Sequence, residues 1–312
     1  MYTLELLVIC VYCLIGDELY PSFTSRYGRT RRAGFAPRLT DEECLTIEVI
    51  GQYLGYDRQK TLFKQMKDRF GYLFPALVDR VSFVRQSANL WQVKSFIQQH
   101  MVYLLEGHSA PYQIIDTMPV PVLKLARAKS RKVFRTPPVF DFPPATKGHC
   151  AAKAEDYFGY KGGLRLSDYG LIVKADLLQA YGHDSTCRED LLAGTKPYTT
   201  VIGDKAFLAL DWQKDCYEKD RILVLTPIKS NMKATEARKP FILPKIGSRL
   251  RRLIETVGSQ LTERFHLNTM KARDPWHLLN LFYTKILAHT LCVFINIRLN
   301  RKPLDFDGLV AW

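Results

Sequence analysis

Two predicted strands of this chain each end in an aspartate. Asp116 closes the run YQIID and Asp204 closes the run YTTVIGD, and both runs are rich in β-branched and aromatic residues, as strands prefer. A carboxylate at the end of an apolar strand is costly to bury unless it is hydrogen-bonded, paired or bound to a metal ion. Because ligands of open α/β sheets bind at strand ends, both aspartates are candidates for a functional site.

A third carboxylate lies in the predicted helix RRLIETVGSQLTERF. At about 100° per residue, Glu255 falls on the flank of an apolar stripe and one turn before the small Gly258, so we expect it beside the core rather than out in water. Glu263 falls about 80° further round the helix and is expected to face solvent. Three carboxylates near a sheet suit Mg²⁺, which prefers oxygen ligands and, as a pair of ions, supports phosphodiester chemistry.

Each of these carboxylates also has an ordinary structural interpretation. Asp116 fits a helix N-cap or a turn residue equally well, and Asp204 before Lys205 fits a turn. Glu255 lies four residues after Arg251, and in isolation this spacing favours a surface ion pair on a helix. The spacing of the residues alone therefore leaves both interpretations open for all three positions.

The net charge of +14 is concentrated in two segments. Residues 117–165 carry ten Lys or Arg against three Asp or Glu, and residues 229–252 carry eight against one. These differences, +7 and +7, account for the whole excess, and the rest of the chain is balanced. Localised basic surface indicates a polyanionic partner, with nucleic acid favoured over membrane and a merely basic soluble protein as the alternative.

The elements that would position the carboxylates follow a helical region of about 110 residues, which includes a helix start with a capping pattern at Thr40. Strands are predicted at residues 112–116, 157–166, 170–176, 198–203 and 221–226. Pro119 and Pro121 are expected to end the first strand. Residues 128–156 are predicted to form a long loop. The order predicts an all-α domain, residues 1–108, before an α/β domain, residues 109–312.

Two further patterns bear on the compartment. The seven cysteines are odd in number and scattered, which is typical of a protein in a reducing cytoplasm. The apolar stretch 278–299 is interrupted by Lys285, His289, Asn296 and Arg298, which favours a buried helix over a membrane span. The apolar run 4–16 lacks a positively charged start and a cleavage pattern, so it is a poor signal peptide.

Four ordered motifs resemble the DDE transposases of bacterial insertion sequences. They are IIDTMPVPV, YFGYKGGLRL, VIGDKAF and RRLIETVGSQLTERF, and the closest group is insertion-sequence family 982. The resemblance implies an RNase H-like α/β catalytic domain, with a mixed five-stranded sheet and flanking helices, behind an all-α N-terminal domain. It further implies that Asp116, Asp204 and Glu255 bind two Mg²⁺ ions, for which Mn²⁺ substitutes.

The resemblance also implies partners and a location. The partners are double-stranded DNA at the element ends and at the target, and the reaction is DNA cleavage followed by transfer of the 3′-OH ends. We expect phosphate contacts from four basic side chains: Lys161, Lys205, Arg251 and Arg252. A homodimer or larger assembly on DNA, no membrane, and a cytoplasmic, nucleoid-associated location in a bacterium complete this expectation.

The sequence departs from the wider pattern of the family at several positions, two of which fall in the signature around Glu255. Ser248 stands where a tyrosine is usual, and Thr262 stands where a lysine is usual. Two alternatives accompany the transposase: an RNase H-like nuclease or junction resolvase, which would use the same carboxylates, and a catalytically decayed DNA-binding protein. The sequence does not specify the ends recognised, the target or the pathway.

Overall fold

The computed structural model of the chain describes residues 3–31, 33–128, 134, 142–150, 154–181, 184–228, 241–242 and 248–310. The chain forms two compact units. The first, here called the helical unit, combines Met1–Met101 with Gln260–Trp312. The second, here called the sheet unit, is Val102–Ser259.

The helices have the following bounds in chain order: α1 Leu4–Cys13, α2 Tyr20–Tyr27, α3 Asp41–Tyr53, α4 Gln59–Phe70, α5 Arg80–Asn89, α6 Trp91–Leu104, α7 Leu125–Ala128, α8 Arg188–Leu192, α9 Leu210–Asp220, α10 Ser248–Ser259 and α11 Pro275–Arg298. Two π-helical turns, Leu14–Leu19 and Gln260–Arg264, follow α1 and α10. The predicted helical character of the N-terminal region is confirmed, and no described residue before Tyr112 lies in a strand.

The start of α3 shows how local sequence sets these boundaries. The Thr40 hydroxyl accepts a hydrogen bond from the Glu43 backbone N–H at 3.2 Å, and the Glu43 carboxylate accepts one from the Thr40 N–H at 2.8 Å. This reciprocal capping box satisfies two backbone donors that the first helical turn leaves without partners. The predicted capping pattern is therefore confirmed.

Helix α11 forms the centre of the helical unit, where it lies against α3 and α5. It is apolar enough to cross a membrane, but 89% of its most apolar window is buried within the protein, as predicted for a core helix. The helical stretch Leu4–Tyr27 passes the same test of length and composition, with 28% of its window buried. All seven cysteines lie in the described part of the chain, and each is a free thiol.

The grouping of residues 260–312 differs from the predicted division at residue 108. Those residues were assigned to the α/β domain, whereas their contacts place them in the helical unit. The physical reason is that α11 buries its side chains against α3 and α5, which lie more than 180 residues away in the chain. Such a long-range partnership has no local sequence signal.

Within the residues that the structure describes, the sheet unit has six strands: β1 Tyr112–Leu123, β2 Thr146–Cys150, β3 Glu155–Ser167, β4 Ile172–Gln179, β5 Thr200–Ile202 and β6 Leu223–Leu225. Their order is β2-β3-β1-β5-β6, and β4 also pairs with β3. β1 is antiparallel to β3 and parallel to β5, which is parallel to β6. This mixed sheet with flanking helices, in a chain that begins with a helical region, fits a DDE or RNase H-like domain.

Strand β1 continues through both prolines, so the prediction that they end it is wrong. Its pairing with β5 stops at Ile114, and beyond that residue β3 is the strand of the described chain that pairs with it. Pro119 and Pro121 are two residues apart, so their missing N–H groups lie on one edge of the strand, which β5 does not occupy there. Opposite Pro121 is Gly159, where a Cβ atom would lie 2.2 Å from the Val120 carbonyl oxygen.

Strand β2 lies within the stretch that was predicted to be a long loop. Its sequence, TKGHC, lacks the alternation of apolar and polar residues by which a strand is recognised. It pairs antiparallel with the first residues of β3, as an edge strand does. Much of the remaining loop, like most of the basic segment 229–252, lies outside the described residues.

Candidate functional site at the strand ends

The two faces of the sheet unit have different neighbours. Ile115 of β1 belongs to a buried cluster with Val201 of β5, Leu191 of α8 and Cys216 of α9. We call this side the core face. Because successive side chains of a strand point to opposite faces, Asp116 lies on the other side, which we call the site face.

The register of β1 and β5 brings Asp204 level with Asp116. Ile114 pairs with Ile202 in the parallel ladder, and each aspartate is two residues beyond its isoleucine. A Cβ atom added to Gly203 would lie 3.4 Å from the Ile115 side chain, so the register persists one residue past the ladder and Gly203 points to the core face. Asp204, the next residue, then points to the site face beside Asp116, about 4.8 Å away between backbones.

The surroundings of Asp116 support a strand position. Its side chain is half-buried, and one carboxylate oxygen accepts a hydrogen bond from the Thr117 backbone N–H at 2.8 Å. It lies inside β1, so the alternative of a helix N-cap or a turn residue is wrong.

Asp204 lies where β5 gives way to a short 3₁₀ turn, Lys205–Phe207. Its backbone carbonyl accepts a hydrogen bond from the Phe207 N–H at 2.9 Å, as the turn interpretation anticipated. Its half-buried side chain, however, makes no capping hydrogen bond to that turn. The turn interpretation therefore accounts for the Asp204 backbone, and the carboxylate stays a candidate for the site predicted at the strand ends.

Helix α10 carries the third predicted carboxylate and lies against β1. Since α8 and α9 supply the helical residues of the core face, we infer that α10 lies on the site face. Ile254 and Val257 are buried, whereas Glu255 is exposed. The expectation that Glu255 lies beside the core is therefore wrong: the buried stripe is narrower than the apolar stripe in the sequence.

Open space adjoins Glu255 on the next turn of α10. A Cβ atom added to Gly258 would have no heavy atom within 4 Å, as expected from the small residue there. Glu263 is exposed too, as predicted. It lies in the π-helical turn Gln260–Arg264, where the angle of 100° per residue no longer holds, and it belongs to the helical unit rather than to the sheet unit.

The donor set is suited to a hard divalent cation, although the three carboxylates do not form a closed cluster. Among the described residues, no group of three His, Cys, Asp or Glu side chains is arranged to hold a metal ion. The register nevertheless sets Asp116 and Asp204 side by side, and two carboxylates with open neighbouring positions are a usual protein contribution to Mg²⁺. These residues therefore fit the ion.

The four predicted phosphate contacts differ in accessibility. Lys205 and Arg252 are exposed, and they flank Asp204 and Glu255. Lys161 is only 6% exposed, and it pairs with Pro119 of β1. Side chains alternate along a strand, so Pro119 and its partner Lys161 lie on the same core face as Ile115. The expectation that Lys161 contacts phosphate at the site is therefore not supported by its position. The side chain of Arg251 lies outside the described part of the structure.

Two residues that support the site were not singled out from the sequence. Gly203 allows close packing, because a Cβ atom there would lie 3.2 Å from Cβ of Phe207. Thr117 donates its backbone N–H to Asp116. The glycine before Asp204 is visible in the sequence and could have indicated close packing there. A backbone hydrogen bond to a carboxylate leaves no mark in the sequence.

Comparison with known families gives one match. The family model described as the transposase DDE domain matches residues 106–274, which is more than half of the 312 residues. The matched range contains both aspartates, Glu255 and all six strands. No curated protein and no solved structure matches the chain significantly.

Proposed function

The chain belongs to the transposase DDE domain family, and on that premise we propose that it is the transposase of an insertion sequence. In this proposal it binds double-stranded DNA at the two ends of its element, cleaves there, and transfers the 3′-OH ends into target DNA. The finer assignments, to insertion-sequence family 982 and to the RNase H-like fold, rest on the four ordered motifs and the mixed sheet.

One observation carries this proposal. Asp116 and Asp204 follow equivalent residues of two neighbouring parallel strands, and both point to the site face. Two carboxylates in one register are not required by the sheet, since their charges repel at this spacing. Their pairing is explained if a cation lies between them, which is how a DDE site would use them.

Asp116, Asp204 and Glu255 would hold Mg²⁺, with Mn²⁺ as a substitute. When bound, a pair of such ions activates the attacking oxygen and stabilises the leaving oxygen of a phosphodiester. Glu255 lies on α10, which lies against β1, and in this proposal it supplies the third carboxylate. The exposed Lys205 and Arg252, and also Arg251, would hold DNA phosphates.

The remaining partners follow from the reaction. Transfer of two ends requires two active sites, so we propose a homodimer or a larger assembly on DNA. We propose a cytoplasmic, nucleoid-associated location, which suits seven free thiols and a net charge of +14.

The test is an assay of labelled DNA ends taken from the inverted repeats that flank the coding region. With Mg²⁺ and a target plasmid, the parent protein is expected to cleave the ends and to join them to the plasmid. Glu255→Gln keeps the size of the side chain but removes its charge, so cleavage and joining should fall by orders of magnitude while binding of the ends persists.

Glu263→Gln is the matched control, because Glu263 is an exposed glutamate that follows in the same helical stretch. It is expected to leave binding, cleavage and joining nearly intact. Comparable cleavage by Glu255→Gln and the parent would contradict the role of Glu255. Cleavage without joining would favour the nuclease or resolvase, and binding without cleavage by the parent would favour a decayed DNA-binding protein.

A further inference from the structure

The segment that joins α2 to α3 combines arginines with an exposed aromatic ring. We call residues 28–40, GRTRRAGFAPRLT, the arginine loop; they contain four Arg and no Asp or Glu. Phe35 is 100% exposed, and Arg29 and Arg38, on either side of it in the chain, are exposed as well. A single exposed apolar residue is ordinary, but an aromatic ring between arginines is typical of a nucleic-acid contact, because the cations meet phosphates and the ring stacks on bases.

A buried carboxylate of α3 holds the first half of this loop. The Asp41 side chain is 4% exposed. It accepts a hydrogen bond from the Thr30 hydroxyl at 2.7 Å and two from the Arg31 guanidinium, at 3.0 and 3.1 Å. Tyr20 of α2 and Gln86 of α5 donate to the same carboxylate, at 3.0 and 2.8 Å. The network of charge-assisted hydrogen bonds therefore fixes the start of the loop to three helices.

The other end of the loop is fixed too. Leu39 is 0% exposed, and its carbonyl accepts a hydrogen bond from the Gln86 amide at 2.9 Å. Thr40 follows, with the capping box that begins α3. A loop that is anchored at both ends loses little conformational freedom when a ligand binds, so its projecting part is preorganised.

That projecting part is a narrow tip. Residues 33–36 are two Ala, one Gly and Phe35, and all four are exposed. Gly34 has a φ of +96°, which a residue with a side chain rarely adopts, and a Cβ atom added to it would have no heavy atom within 4 Å. Pro37 restricts the backbone on the other side of the ring. Small neighbours leave Phe35 as the one large side chain of the tip, which is slim enough for a groove about 6 Å wide, such as the minor groove of DNA.

The charge of the loop favours DNA over a lipid surface. Both are polyanions, but stable attachment to a membrane takes two strong signals, and one aromatic ring is a weak anchor. In DNA, by contrast, one apolar side chain is enough to open a single base step when arginines hold the adjoining phosphates. The family of the chain acts on DNA as well.

We propose that Phe35 is a wedge, which the arginine loop inserts between two base pairs from the minor groove, while Arg29 and Arg38 contact the backbone beside it. Insertion unstacks the step and kinks the duplex toward the major groove. Pyrimidine–purine steps open most easily, so the wedge should enter at a TA or CA/TG step of the element end. This inference rests on the proposed function, because it assigns a contact to the DNA that the transposase would bind.

The first experiment uses element-end duplexes that carry 2-aminopurine at successive adenine positions, in EDTA so that no cleavage occurs. This base fluoresces weakly when stacked and brightens when it is unstacked. The parent should brighten one step several-fold, and Phe35→Ala should abolish this rise and weaken binding about 10-fold. Phe35→Leu keeps an apolar wedge and should retain part of the rise.

Tyr72→Ala is the matched control, because Tyr72 is another aromatic residue of the helical unit and is 64% exposed. It should leave the fluorescence rise and the affinity unchanged. The second experiment measures the slope of log K against log salt. Arg29→Ala should reduce this slope by about one, and Arg29→Lys, which keeps the charge, should restore it. Unchanged circular dichroism of each variant would show that these effects are not folding defects.

Several outcomes would overturn the wedge. They are a parent that binds the ends without brightening any step, a rise that persists in Phe35→Ala, and a parent that binds no duplex. Flotation with phosphatidylglycerol vesicles that is lost in Phe35→Ala, without a fluorescence rise on DNA, would assign the loop to a membrane instead. The proposed function is tested separately: cleavage by the parent in Mg²⁺ without a Phe35-dependent rise would contradict the wedge alone, and a Phe35-dependent rise without cleavage would support the wedge and contradict the transposase.

Discussion

Charged side chains occupy opposite environments in the two units. In the helical unit, Lys94 and Glu48 form an ion pair, and both side chains are 0% exposed. In the sheet unit, Asp116 and Asp204 are half-buried at the edge of a ladder. The same chain therefore contains one pair of opposite charges sealed from water and one pair of like charges that water can reach.

The ammonium group of the sealed pair has all its hydrogen-bonding capacity used. Lys94 donates to Glu48, to Asn280 and to the Thr284 hydroxyl, the last at 3.0 Å. Glu48 also accepts from the Ser87 hydroxyl. An ammonium group has three protons to donate, so no capacity remains for a ligand, and the network connects α3, α5, α6 and α11 instead.

This difference in environment distinguishes charges that stabilise the fold from charges that bind a ligand or take part in a reaction. A buried charge is tolerated when complementary groups surround it, and its removal affects folding. Two like charges that share a strand edge repel each other, so we expect their removal to affect ligand binding and chemistry more than folding. The predictions below test this division.

The largest effect is expected from Asp116→Asn. If Asp116 holds the ion, cleavage of labelled element ends should fall by about a thousand-fold or more, because the ligand charge is lost. The free energy of unfolding should stay constant or rise slightly, because a repulsive neighbour of Asp204 is removed. Cleavage kinetics and urea unfolding of the same preparations provide the two measurements. A large loss of stability would show instead that Asp116 stabilises the fold.

The opposite pattern is expected for Lys94→Met. It leaves the Glu48 carboxylate buried without its countercharge, which typically costs about 3–5 kcal/mol of folding free energy. Urea unfolding of the single variant checks this value. The double variant with Glu48→Leu removes both charges and should recover most of the loss. If the single variant is as stable as the parent, the buried pair does not connect the helices as described.

The features of the fold that were predicted correctly depend on residues that lie close together in the sequence. The capping box at Thr40 lies within four residues of its partner, and the apolar run before Asp116 is continuous, so both were visible. β2 was missed because TKGHC has no apolar alternation. The partnership of Lys94 with Asn280 spans 186 residues, and nothing in either neighbourhood indicates it.

The candidate site was predictable to a similar extent. That both strands end in aspartate is visible in the sequence, but that both aspartates share a face depends on the register of β1 and β5. The helical period predicted a flank position for Glu255 and could not tell that this flank is exposed. Lys161 was selected for its charge, whereas its burial follows from the pairing of β3 with strands on both sides.

A smaller effect, again in the helical unit, concerns acid sensitivity. His289 is 0% exposed, and burial lowers its pKa to about 3. In the unfolded chain the pKa of a histidine is about 6.5, so between these values the unfolded state binds the extra proton. The stability contributed by neutral His289 is therefore complete above pH ~6.5 and is lost as the pH falls toward 3.

His289→Leu cannot take up a proton, so its stability should fall less than that of the parent between pH 7 and pH 4. Urea unfolding at both values gives this difference in slope, which does not depend on the loss of the hydrogen bond between His289 and Gln260 at 3.1 Å. Equal slopes for parent and variant would mean that His289 titrates normally in the folded protein.

The smallest effect is expected at the surface of the sheet unit. Arg252 is exposed on the helix that carries Glu255, so it can reach a DNA phosphate without a change of fold. Each phosphate contact releases about one counterion, so Arg252→Ala should reduce the slope of log K against log salt by about one.

Lys161→Ala is the matched comparison, because the same type of charge is removed from a buried position on the core face. A side chain that does not reach DNA releases no counterion, so the salt slope of this variant should equal that of the parent. Its free energy of unfolding should fall instead, since the aliphatic stem of a buried lysine contributes packing. Binding to element ends by fluorescence anisotropy at several salt concentrations, with urea unfolding in parallel, separates the two effects. A slope reduced by about one in Lys161→Ala, with unchanged stability, would show that Lys161 contacts DNA and that burial alone is a poor guide to the role of a charge in this unit.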